Sequence, residues 1–238
     1  MVTGLDIWTN ETLGPCNGCA EGKHPQTPFP KQGSRMTRPL EQLHMDLQGP
    51  LATSLAGYCY SLGIVDCHSR SGWKFYLKTK DETSNNVISF VTEIETQTGK
   101  KVKRIRCDGG SEFLNKELKA FAKKKGIVIE TSAPYTQQQN GVAERFNRTT
   151  GEHALAMLKE AGMSNGFWPE AHEYASYVQN RSPTRVLNKL TPYEAFYGKK
   201  PDVSALRIFG SECHVRIPPE KRTKLDAHSL EGLFCGIS

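Results

Sequence analysis

The stretch Ser132-Ala-Pro-Tyr-Thr-Gln-Gln-Gln-Asn-Gly-Val-Ala-Glu-Arg-Phe-Asn-Arg148 begins as a polar turn and becomes helical at about Asn140. From there small and apolar residues recur at Ala143, Phe146, Thr150, Ala154, Met157 and Ala161. Steps of three and four residues are one stripe of an amphipathic helix. Glu144, Asn147, Arg148 and Gly151 fall beside that stripe, so the helix is expected to bury one face with a carboxylate at its edge. Taken alone, Glu144 reads as a surface residue pairing with Arg148 one turn on, worth only about 0.3–0.5 kcal/mol.

Two aspartates change that reading. In Leu43-His-Met-Asp-Leu-Gln-Gly-Pro50, apolar Leu43, Met45 and Leu47 alternate with His44, Asp46 and Gln48, which predicts a strand ended by Gly49-Pro50. Asp108 closes Val102-Lys-Arg-Ile-Arg-Cys-Asp108, another strand-like run, stopped by Gly109-Gly110. Asp108 and Glu144 are 36 positions apart, so 35 residues lie between them. One acid in a strand, one at the end of a second strand and one in the first turn of a later helix form a candidate constellation. Asp66, in Ile64-Val-Asp-Cys-His-Ser-Arg70, is a rival for Asp46. Its position before a polar turn predicts instead a side chain bonded to nearby backbone.

Charged and hydrophobic residues make up 24% and 37% of the 238 residues, which suits a soluble globular chain with one substantial core. No apolar run approaches the roughly 20 residues of a membrane span, and no basic-then-apolar leader is seen. The net charge of +6 fits a polyanionic partner without identifying one. Seven scattered cysteines make no disulfide framework and suit a reducing compartment, cytoplasm or nucleus.

Along the chain, strands are expected at Leu43–Gln48, Tyr58–Asp66 and Trp73–Leu77, with short polar connectors that imply an antiparallel meander. A helix over Ser84–Thr98 then crosses to a strand at Val102–Asp108, parallel to the first. A helix from Phe113 stopped by Gly126, a strand at Ile127–Thr131, the Glu144 helix and a helix over Trp168–Asn180 follow. Lys123-Lys-Lys125 suits the negative end of its helix before it suits DNA. His172 reads as a surface or hydrogen-bonded core histidine. The alternation alone implies only an α/β sheet.

His-Met-Asp-Leu-Gln-Gly-Pro at 44–50, Cys-Asp-Gly-Gly-Ser-Glu-Phe at 107–113 and Gln-Asn-Gly-Val-Ala-Glu-Arg-Phe-Asn-Arg-Thr at 139–149 resemble integrases of Copia-type LTR retrotransposons. So do Asn180-Arg-Ser-Pro183, Thr191-Pro-Tyr-Glu-Ala-Phe-Tyr-Gly-Lys-Lys-Pro-Asp202 and Leu206-Arg-Ile-Phe-Gly210, in the family's order. The resemblance implies an α/β ribonuclease-H-like fold, a mixed five-stranded sheet flanked by helices, with short irregular N- and C-terminal extensions. It implies a D,D-35-E triad of Asp46, Asp108 and Glu144 that holds Mg2+ or Mn2+ and carries out DNA 3′-end processing and strand transfer. Element ends and target DNA would be the partners, with a homo-oligomer as the active form. Asn140, Asn147 and Arg148 become candidate contacts to nucleic acid.

The implied organisation is a partial zinc-binding remnant over 1–35, a catalytic core over 36–200 and a truncated C-terminal extension over 201–238. Cys16 and Cys19 resemble the second half of a His-His-Cys-Cys zinc module, but residues 1–15 hold no histidine, so zinc would find two of its four ligands. The family usually has Pro where Gln137 stands, and its loss frees the loop backbone. Two other functions compete: a silent, domesticated fragment that binds nucleic acid, and a ribonuclease-H-type nuclease. The Gln-Asn-Gly-Val-Ala-Glu-Arg block argues against the nuclease.

Overall fold

Strands β1 (Gln42–Gln48), β2 (Tyr60–Asp66) and β3 (Gly72–Leu77) form the antiparallel meander that their short polar connectors require. The computed structural model describes residues 36–131 and 140–237. Cys16, Cys19, the 1–35 segment and the polar loop ahead of Asn140 lie outside them. Helix α1 (Thr83–Thr98) crosses to β4 (Arg104–Cys107), which lies parallel to β1 with His44 opposite Arg106. Helix α2 (Lys116–Lys125) leads to β5 (Val128–Thr131), parallel to β4, and the sheet order is β3-β2-β1-β4-β5. Helices α3 (Gly141–Glu160), α4 (Trp168–Arg181) and α5 (Pro192–Tyr197) follow. A separate antiparallel hairpin, β6 (Glu212–Arg216) with β7 (Ser229–Leu233), gives regular structure to the expected irregular C-terminal stretch.

The alternation in β1 divides two buried faces rather than a core face and a wet one. Leu43 and Met45 join Leu62, Ile64, Val87, Val91, Ile105 and Leu118 in the main core under α1 and α2. On the opposite face Gln42 and His44 are only 3% exposed. That face is covered by α3, whose Asn140 donates from Nδ2 to the Met45 carbonyl at 2.9 Å. Behind α3, Ala154, Leu158, Trp168, Ala171, Tyr174 and Phe209 make a second core. Tyr174 donates its hydroxyl to the Arg207 carbonyl, so residues beyond 200 pack on α4.

Two glycines let α3 lie flat on the strands. A Cβ at Gly63 would overlap the Asn147 carboxamide, and one at Gly72 would overlap the Phe146 ring. Glycine weakens a strand interior, and close approach of another element is the usual reason for keeping it there. Asn180 secures the same edge, exchanging hydrogen bonds with the Gly72 N–H at 2.9 Å and the Gly72 carbonyl at 2.7 Å.

Observed boundaries fall inside several expected ones because local caps set them. Helix α2 begins after Asn115, which accepts from Leu118 N–H at 2.9 Å, and it ends at Gly126 with φ 72°. The three lysines end that helix as expected. Lys125 also reaches Glu95 at 2.9 Å, and Glu95 takes Lys101 at 3.0 Å and the Val102 N–H at 3.0 Å, tying α1 to the entrance of β4.

Asp66 is the last residue of β2, and its side chain ties down the turn that follows. It is fully buried and accepts from the Leu40 N–H, the Ser69 N–H and the Ser69 hydroxyl, each at 2.7 Å. It pairs with Leu43 at the start of β1, whereas Asp46 stands near that strand's end. Asp66→Ala would strip partners from two buried N–H groups, at about 1–3 kcal/mol each. The expected total of about 3 kcal/mol lowers the melting temperature by about 6–12 °C. Thermal unfolding checks this, and an unchanged midpoint would remove the structural role assigned to Asp66.

Candidate active site

Asp46 sits near the C-terminal end of β1, on the face covered by α3. The parallel register sets His44 opposite Arg106; two residues further along each chain come Asp46 and, just past β4, Asp108, which is close enough to feel the charge of Asp46. Neighbouring strands lie about 4.8 Å apart, so the two aspartates share one end of the sheet. Glu144 comes from the first turn of α3, which Asn140 fastens to β1. Asp46, Glu144, Arg148, Gln48, Leu155 and His172 are among the residues lining an open cleft of about 680 Å3.

The three acids act on one another electrically. Burial raises the pKa of Glu144, and the charges of Asp46 and Asp108 raise it further against the opposing pull of Arg145. Asp108 is raised chiefly by burial and also by Glu112 and Asp46, while the Gly110 N–H and Lys80 oppose the rise. Mutual repulsion between carboxylates is what a divalent cation relieves. Hard oxygen donors are also the set that Mg2+ and Mn2+ prefer, so these residues fit such an ion. Among the described residues, no three His, Cys, Asp or Glu side chains are grouped closely enough to hold a metal ion by themselves.

Asn140 and Asn147, expected as nucleic-acid contacts, instead turn inward. Asn140 is 1% exposed and Asn147 2% exposed. Asn147 donates from Nδ2 to Asp46 Oδ2 at 2.8 Å and to the Asp46 carbonyl at 3.1 Å. Its Oδ1 accepts from Lys74 Nζ at 2.6 Å. Arg148 is exposed along the cleft, and among the described residues it makes no ion pair with Glu144 within 4 Å, so the simple helical pair is absent.

Lys74 was not legible as a site residue. It lies in β3 opposite Gly63, which lies opposite Asp46, so the three form one row across the sheet. Burial pushes its pKa down to about 7, against the charges of Asp46 and Glu173. Its ammonium lies 3.4 Å from Ser61 Oγ and 5.2 Å from the Phe146 ring centre. A lysine between Trp73 and Phe75 was the available signal, but the strand pattern alone does not say what covers it.

His172 is a buried residue packed 5.4 Å from the Trp168 ring, and among the described residues its Nδ1 has no hydrogen-bond partner. That corrects the expectation of a hydrogen-bonded histidine; burial and Lys74 push its pKa down to about 3, so it stays neutral. A separate cavity of about 350 Å3, bounded by Trp73, Tyr177, Tyr193 and Tyr197, includes none of the three acids.

Comparison with known proteins agrees with this architecture. Residues 36–137 match the family described as Integrase core domain. The chain is 36% identical over 226 residues to the retrovirus-related Pol polyprotein from transposon TNT 1-94 of Nicotiana tabacum, covering 94% of this chain and 17% of that polyprotein. It is 31% identical over 223 residues to the corresponding polyprotein from transposon RE1 of Arabidopsis thaliana, covering 94% and 15%. The chain thus spans less than a fifth of those relatives. A simian T-cell lymphotropic virus intasome, in complex with PP2A regulatory subunit B56 gamma, holds a chain that matches with TM-score 0.61 and 18% identity, covering 92% of this chain and 76% of that one. The HTLV-2 integrase catalytic core domain in complex with magnesium, in a trimeric form, matches with TM-score 0.51 and 20% identity, covering 68% and 99%. These structures show the same ribonuclease-H-like fold.

Gly63→Ala tests the packing beneath the site. The added methyl should displace the Asn147 carboxamide and cost about 1–3 kcal/mol, as overpacking does. Denaturant unfolding measures it, and an unchanged midpoint would mean that α3 shifts without strain.

Proposed function

We propose that residues 36–137, which match the Integrase core domain family and resemble part of retrovirus-related Pol polyproteins, form the integrase core of a Copia-type element, joining DNA ends to target DNA. What supports the reading is the His44–Arg106 register, two residues short of Asp46 and Asp108, together with the charge that both acids exert on Glu144. Asp46 and Asp108 would hold Mg2+ or Mn2+ from the strand ends, and Glu144 would complete the donor set from α3. Such ions, when bound, would supply Lewis acidity to the attacking and leaving oxygens of an in-line phosphoryl displacement.

The chain's own residues do the rest. Asp46, fixed by Asn147, presents a carboxylate of set orientation. Glu144 projects from a helix whose start is bonded to β1. Arg148, exposed on the cleft beside Glu144, is placed to take a phosphate of the bound strand. The attacking groups are water, which trims the element's end, and then the freed 3′-hydroxyl, which attacks a target phosphodiester. No protein nucleophile is required. The partners proposed are element and target DNA and further copies of this chain, within the nucleus and cytoplasm. Zinc binding through Cys16 and Cys19 would need ligands beyond that pair.

The experiment is cleavage and joining of a labelled DNA end, with and without Mg2+ or Mn2+. Glu144→Gln keeps the side chain's size and removes its charge, so activity should fall on the order of 10³-fold, the several kcal/mol that a bound metal supplies. DNA affinity in metal-free buffer should stay within about twofold. Arg148→Ala should instead weaken DNA binding and reduce the salt slope by about 1. Salt-sensitive binding by the unmutated chain without any metal-dependent cleavage would favour the DNA-binding fragment and overturn the enzyme reading.

A further inference from the structure

We propose that Lys74 is a positioning residue for Asp46, acting through the Asn147 carboxamide to fix which way that amide faces and so which carboxylate oxygen remains for an incoming ligand. The inference rests on the metal-dependent reading of the Asp46 site. Its geometry is a row of three strand positions, Lys74 in β3, Gly63 in β2 and Asp46 in β1. Asn147 reaches down from α3 into the space left by the missing Gly63 side chain. It links the row's ends through contacts of 2.6 Å to Lys74 and 2.8 Å to Asp46.

An asparagine amide has an acceptor end and a donor end of nearly equal shape, and only its partners distinguish them. In its protonated form the Lys74 amine has donors alone, so it donates to the Asn147 oxygen and excludes the NH2 from that place. The NH2 is thereby turned to Asp46, where it engages Oδ2 and leaves Oδ1 outside the network. A direct Lys74–Asp46 ion pair would draw the carboxylate back toward the cation. With the amide interposed, Asp46 is held by a neutral group, and among the described residues Lys74 has no ion pair within 4 Å.

Buried as it is, 6% exposed, Lys74 rests on Asn147, Ser61 and the Phe146 ring, all uncharged. A lysine that only filled space would be served as well by Met. A lysine that only repelled a metal ion would, on removal, tighten metal binding. Positioning predicts the opposite sign.

The test is Mn2+ binding to the full chain, followed by electron paramagnetic resonance without DNA, with thermal unfolding beside it. Lys74→Met should weaken Mn2+ about 10–100-fold, the range for losing a group that orients a metal ligand, while the fold stays at least as stable. Asn147→Ala should give a similar loss, and Lys74→Met added to it should change affinity less than twofold. Wild-type or tighter Mn2+ affinity in Lys74→Met overturns the proposal, as does an additive loss in the double variant. Mn2+ binding that vanishes in Asp46→Asn leaves the metal-site reading standing while Lys74 is judged by those results. No Mn2+ binding by the unmutated chain overturns the metal-site reading and this proposal together.

Discussion

Helix α3 meets the sheet through the Phe146 ring and through two polar side chains, and the site depends on the polar part of that contact. Apolar packing would hold a helix against a sheet with freedom to slide, because hydrophobic contact is non-directional. Asn140 and Asn147 instead bond the Met45 carbonyl and both the carbonyl and the carboxylate of Asp46. Two successive residues of β1 are thereby tied to two points on one helix, which fixes its rotation and its height along the strand. Glu144 lies between those points in sequence. Its place relative to Asp46 follows from hydrogen bonds that Glu144 does not itself make. The glycines at 63 and 72 are the condition for this, since a side chain at either would lift the helix from the strands.

The same contact concentrates charge. Asp46, Asp108 and Glu144 gather at one end of the sheet, near the carboxyl ends of the parallel strands β1 and β4, where open α/β sheets commonly bind ligands. Behind them stands one buried ammonium, Lys74, held off Asp46 by an amide. An ion pair there would satisfy both partners and use up the carboxylate. In the observed arrangement burial raises Glu144 and Asp108, and the charges of their neighbouring acids add to that rise.

The order of elements was legible because it rests on local signals: alternation, helical stripes and glycine stops. The second buried face was not. Alternation in Leu43–Gln48 separates polar from apolar positions, but it cannot distinguish water from a polar interface, so Gln42 and His44 offered no sign of being covered. Asn147 was misplaced for a finer reason. At about 100° per residue, it lies about 60° from Glu144 toward the stripe of Ala143, Phe146 and Thr150, whereas Arg148 lies about 40° the other way. Grouping them on one line hid that divergence. Lys74 sits in an edge strand, where a lysine usually guards against pairing with other chains; only tertiary contact from α3 and α4 makes it an interior residue.

The second core has a functional consequence through this geometry. Trp168, Ala171 and Tyr174 of α4 pack with Ala154 and Leu158 of α3, and Phe209 extends that packing beyond residue 200. They brace α3 from the side opposite β1, so the helix is held between a polar seam and an apolar one. The polar seam sets position, and the apolar seam supplies most of the adhesion, at roughly 25 cal/mol per Å2 of apolar surface removed from water. Residues far from Asp46 thus keep Asn147 pressed into the gap at Gly63. The carboxylates at the open end keep their mutual repulsion, which no described side chain relieves by a salt bridge within 4 Å.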